Sequence, residues 1–219
     1  MRALFALLLA AVGVLLFTSL SRAAGCDLTW TGLGGTTSSP VSGLWATGSN
    51  WSGGGGNPPS ATQNACLPAS GSSYTVTLNG AGTANSVTVN AGATLAVAIS
   101  GGNGATLTLS SNGSSTNGGT IDLTDADSSG SSSTPARIEL DSGASLTNDG
   151  TIVSNGTGGS RFIDGQSAAR KLTNATSGTI IVDEDLQIDS SQGGLFTTSP
   201  IFRTTKWLGV LAVARARVV

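Results

Sequence analysis

The chain of 219 residues carries 12 acidic and 10 basic side chains, a formal net charge of −2, and no histidine. Only 10% of its residues are charged and 32 are glycine, a mixture poor in helix formers and rich in turn formers. Without histidine no Ser-His-Asp or Cys-His nucleophile system exists. Without a basic stripe carrying interleaved aromatics, nucleic-acid binding is disfavoured.

Residues 1–23 read as a secretory signal peptide. Arg2 gives the positive start, Leu4 to Phe17 the apolar run, and Ser21-Arg22-Ala23 a small-residue cleavage site. The run is too short to favour a membrane span. The mature chain is therefore expected to be secreted or at the cell surface, with no transmembrane segment. Cys26 and Cys66 are the only cysteines, and an oxidising compartment favours a disulfide between them. Closing a loop of about 40 residues stabilises by about 4 kcal/mol on the chain-entropy argument. The rival reading takes Ala23-Ala24-Gly25-Cys26 as a loose lipobox with a lipid on Cys26, which would leave Cys66 unpaired.

Residues 24–73 form a Trp- and Gly-rich segment holding Trp30, Trp45 and Trp51. Flat indoles suit pyranose rings, which makes Trp45 and Trp51 candidate glycan contacts. The alternative is an N-terminal cap, because the first unit of a stacked array must cover its open end. The run Cys26-x-x-x-Trp30-x-Gly32, then Trp45, Asn50-Trp51, Pro58-Pro59 and Cys66-x-Pro68 resembles the start of secreted bacterial β-strand-repeat proteins, among them autotransporter-passenger-like surface adhesins. The resemblance extends from about Cys26 to Ile188. It implies a parallel β-helix with a structural or adhesive surface role. The expected partner is a cell-surface or extracellular polysaccharide.

Residues 74–190 repeat a short alternating strand and a turn of Gly, Asn, Ser or Asp. Tyr74 to Leu78, Ser86 to Val89, Thr94 to Val97 and Thr106 to Leu109 each set aliphatic residues on one face and hydroxyls on the other. Ile121 with Leu123, Ile138 with Leu140, Ile180 with Val182 and Leu186 with Ile188 continue the pattern, and Leu146, Ile152, Phe162 and Leu172 serve as single anchors. Gly-Thr-Ile recurs at Gly119, Gly150 and Gly178, spaced by 31 and 28 residues. A period in that range built of short strands points to an all-β, right-handed parallel β-helix, a solenoid with a disulfide-pinned N-terminal cap. By analogy with other β-helices, Asn117, Asn148 and Asn174, just upstream of each Gly-Thr-Ile, are expected to stack in a ladder. An antiparallel β-sandwich is the alternative, since Asn79-Gly80, Asn112-Gly113 and Asn155-Gly156 are hairpin dipeptides.

No residue from Leu28 to Ile121 is charged, whereas Asp122 to Asp189 holds most of the acids. Asp122, Asp125 and Asp127 before Ser129-Gly130 have the spacing of a calcium loop, but Ala136 stands where a bidentate Glu is needed. Asp183-Glu184-Asp185, with Asp189 beyond, is the second cluster. Glycoside hydrolysis needs two carboxyls facing across one bond, and consecutive acids in one turn point apart. The expectation is therefore no catalytic residue, no metal and no cofactor, with a truncated polysaccharide-degrading enzyme as the weaker reading. In residues 191–219 the strand rhythm is expected to stop. That tail reads as a fragment's end, a frame shifted near Pro200, or a short amphipathic closing helix.

Overall fold

The computed structural model describes residues 25–188 apart from 111, 126, 127, 129, 132, 133 and 166–168, together with the backbone of 195–198 and 202–204. The signal-peptide reading of 1–23, the tail beyond 204, Asp127 and Asp189 lie outside the described residues.

The first strands are β1 Leu28–Trp30, β2 Gly43–Leu44, β3 Trp51–Ser52 and β4 Asn64–Leu67. Then follow β5 Tyr74–Leu78, β6 Ala81–Ala84, β7 Ser86–Val89, β8 Ala93–Ile99 and β9 Ala105–Leu109. The next triplets are β10 Ser114–Asn117, β11 Thr120–Asp125 and β12 Pro135–Leu140, then β13 Ser145–Asn148, β14 Thr151–Ser154 and β15 Ser160–Asp164. The chain continues with β16 Lys171–Asn174, β17 Thr179–Val182, β18 Leu186–Ile188, β19 Leu195–Thr198 and β20 Phe202–Thr204. Among the described residues the one helical segment is the 3-10 turn Gly48–Asn50.

The protein is all-β with parallel sheets. Sheet 1 runs β19-β16-β13-β10-β7-β4-β1-β3, sheet 2 runs β2-β5-β8-β11-β14-β17-β20, and sheet 3 runs β18-β15-β12-β9-β6. From β4 onward each strand pairs with the third one along the chain, in parallel. Among the named strands only β1 and β3 pair antiparallel. The antiparallel sandwich is thereby corrected. Its hairpin dipeptides are corners between sheets: Asn79-Gly80 joins β5 to β6, Asn112-Gly113 joins β9 to β10, and Asn155-Gly156 joins β14 to β15. Asn112 (φ 65°) and Gly156 (φ 90°) adopt the left-handed conformation that such a corner requires.

Register makes columns. In sheet 2, Val76, Leu95, Ile121, Ile152 and Ile180 are successive partners facing inward, all fully buried. In sheet 3, Leu107, Ile138 and Ile163 do the same. Fully burying each such side chain contributes about 1.5–3 kcal/mol. The expected anchor Phe162 is corrected: Ile163 faces the core, and Phe162 points outward, with the Arg137 guanidinium 4.9 Å from its ring centroid. The expected stop of the strand rhythm is corrected too, because β19 and β20 add to sheets 1 and 2.

At the N-terminal end β3 covers β1, the edge of sheet 1 that would otherwise be open. Trp30 and Trp45 both pack edge-on against Trp51, at 5.0 and 4.9 Å between centroids. The Cys26–Cys66 disulfide joins a residue two positions before β1 to its neighbour β4, with the Cα atoms 5.6 Å apart. Both sulfurs are in that bond, so the lipid reading of Cys26 is corrected.

Candidate functional site

The two tryptophans read as glycan contacts sit inside the protein. Trp45 is 1% and Trp51 4% exposed, so neither offers a ring face to a sugar. The Trp51 indole N–H donates to the Trp45 carbonyl at 2.9 Å, and that of Trp30 to the Val41 carbonyl at 2.9 Å. Asn50 is buried beside them. Its amide donates to the Leu44 carbonyl at 3.0 Å, while its Oδ1 has no hydrogen-bond partner. Among the described residues, Leu33, Val41 and Leu44 are the exposed large apolar side chains, all in this N-terminal part.

Asp122, Asp125, Glu184 and Asp185 act electrostatically on one cation, Arg161, that the sequence reading did not single out. Asp122 is half-buried on β11 and accepts from the Asn155 amide at 2.9 Å. Burial raises its pKa, against smaller lowering effects from Asn155 and Arg161. Asp125 ends the same strand, buried, and accepts from the Gly130 N–H at 2.9 Å. Asp183 and Glu184 donate their backbone N–H groups to the Ser154 carbonyl at 2.9 and 3.0 Å, and the Ser154 hydroxyl donates to the Glu184 carbonyl at 2.8 Å. Arg161 on β15 lies between these turns, 2% exposed. Desolvation pushes its pKa down, opposed by the charges of Asp125, Glu184, Asp122 and Asp185. Among the described residues no group of three or more His, Cys, Asp or Glu side chains is placed to hold a metal ion.

The outward faces carry the remaining pattern. On sheet 1, Thr88, Thr116, Thr147 and Thr173 are successive partners, and Ser114 pairs with Ser145 beside them. On sheet 2, Thr75, Thr94, Thr120, Thr151 and Thr179 stack in the same way. Neighbouring strands lie about 4.8 Å apart, so the two rows of hydroxyls flank one corner at that repeat. The signal for this was present in the chain: a Thr precedes each ladder Asn, and a Thr follows each Gly, as in Thr116-Asn117 and Gly119-Thr120. Sheet 3 differs. It shows Arg137 and Glu139 beside Phe162 and Asp164, with an Arg137–Asp164 ion pair at 3.4 Å. The Thr108 hydroxyl donates to Glu139 at 3.3 Å. Among the described residues no helix is long and apolar enough to cross a membrane.

Comparison with protein-family models, with curated proteins and with solved structures finds no match to this chain.

Proposed function

We propose that this is an exported cell-surface protein built as a right-handed parallel β-helix, with a structural or adhesive role and no catalytic step. The reading supposes that residues 1–23 are removed on export, that Cys26–Cys66 forms outside the cytoplasm, and that the rod belongs to the β-strand-repeat, autotransporter-passenger-like type. Its mechanism is display. A dry aliphatic interior holds the outer faces rigid, and those faces meet a neutral extracellular polysaccharide through many weak hydrogen bonds.

One observation carries this reading: the in-register threonines of sheets 1 and 2. Hydroxyls both donate and accept, and a rigid row loses little freedom when it engages a repeating polymer. The second support is the uncharged face of sheet 1, which from β4 to β13 presents no charged residue.

The test is retention of the purified mature chain on insoluble neutral polysaccharides and on whole cells. The expected result is salt-insensitive binding that falls at least roughly tenfold in Thr116→Lys/Thr147→Lys, a loss of about 1.4 kcal/mol, with the circular dichroism spectrum unchanged. Binding that is indifferent to the substitutions, or absent from every surface, would overturn the reading. So would release of new reducing ends.

A further inference from the structure

We infer that Arg161 is the resident cation of the corner between sheets 2 and 3, filling an oxygen cage that takes a hard metal ion only when the guanidinium is gone. The inward column at this edge of sheet 3 runs Ala105, Ala136, Arg161. The two alanines, both fully buried, leave space that a longer side chain on the next strand occupies. From there the guanidinium bends into the turn between β14 and β15. Its Nη1 donates to the carbonyls of Gly158 and Gly159, and its Nη2 to the carbonyl of Asn155. The turn is shaped around it. Gly156 has φ 90°, and a Cβ there would collide with the guanidinium and with the backbone of Asp125. A Cβ at Gly158 would strike the Asp125 carboxylate.

Carbonyl oxygens of one turn with a carboxylate from the next strand are the ligand set of a hard cation. Asp125 supplies that carboxylate, 5% exposed. Glu184, Asp122 and Asp185 add negative potential from either side. The fit to a guanidinium is incomplete, and that is the second observation. The Arg161 Nε–H is buried with no acceptor. The cage has oxygens where a compact charge needs them and none where the fifth N–H points. A spherical ion would leave no such orphan.

The experiment uses the full mature chain, titrated with calcium chloride by calorimetry and followed by thermal melts. The native protein is expected to give no binding heat and an unchanged Tm. Arg161→Ala should lose roughly 10 °C, because the buried charge of Asp125 loses the cation that offsets it. Millimolar calcium or methylguanidinium should restore at least half of that loss, and tetramethylammonium at equal ionic strength none. Arg161→Ala/Asp125→Asn should no longer respond to calcium. Calcium binding by the native chain that Asp125→Asn abolishes would overturn the inference, as would rescue by tetramethylammonium or no rescue at all. If Arg161→Ala fails to fold, its refolding from denaturant with and without calcium reads the same effect. Recovery only with the ion or with methylguanidinium supports the inference, and equal failure in both overturns it.

Discussion

Among the described residues, the corner that follows sheet 1 and the one that follows sheet 2 hold buried polar side chains in different ways. After sheet 1 stand Asn117, Asn148 and Asn174, each no more than 1% exposed. Asn117 Nδ2 donates to Asn148 Oδ1 at 2.7 Å and to the Thr151 carbonyl at 2.9 Å. Asn148 repeats both bonds, to Asn174 Oδ1 at 2.6 Å and the Thr179 carbonyl at 3.2 Å. Asn174 Nδ2 closes the series on the Gly178 carbonyl at 3.0 Å. After sheet 2 stands Arg161 beside the buried Asp125 and Ser154, a charge rather than an amide, and its Nε has no hydrogen-bond partner. An identical residue repeated in register satisfies its own copies. A polar residue used once must be met by a turn built for it.

Breaking the ladder should have the larger effect. Asn148→Ala removes the shared member, leaving Asn174 Oδ1 and the Thr179 carbonyl without the donor they now have. Each unsatisfied buried group costs about 1–3 kcal/mol, so chemical denaturation should show a loss of about 3 kcal/mol. Removing both charges at the other corner should cost less. Arg161→Met/Asp125→Asn takes away cation and carboxylate together, and replacing a buried ion pair by apolar or neutral groups is often close to neutral. A loss of about 1 kcal/mol or less is expected. A double variant as unstable as Asn148→Ala would mean that the guanidinium's bonds to the turn carbonyls, rather than its charge, hold that corner.

The ladder was legible in the chain and the arginine corner was not, for a physical reason. Gly-Thr-Ile returns at nearly constant spacing with an Asn before each copy, so period alone aligns the asparagines. Arg161 has no counterpart: its partners in the column are Ala105, Ala136 and Leu186, and the turns before them differ in length. The same stretch misled the choice of face. In Ser160-Arg161-Phe162-Ile163-Asp164 two large apolar residues are adjacent, and alternation cannot choose between them. Pairing of Ile138 with Ile163 decides it. At the N-terminal end the antiparallel return of β3 closes the edge of sheet 1, a pairing that neither the tryptophans nor the cysteines specify.

The smallest expected effect separates the two corners by pH. Amides do not titrate, so the ladder contributes equally at every pH, while Asp122 borders the arginine corner through Asn155. Its folded pKa lies above the ordinary carboxylate value because burial outweighs the help of Asn155 and Arg161. The folded state therefore holds this proton more tightly than the unfolded state does. Ionised Asp122 is a penalty, present in full above the folded pKa and gone once pH falls to the unfolded one. The native chain should gain stability relative to Asp122→Asn as pH drops through that window, and the remaining carboxylates cancel in the difference. Urea melts of both proteins between neutral pH and the ordinary carboxylate range measure it. A flat difference would mean that Arg161 and Asn155 balance desolvation at this carboxylate, and a native chain that loses ground to the variant on acidification would mean that they outweigh it. The corner would then be a net stabiliser of charge, like the ladder in its self-sufficiency though not in its chemistry.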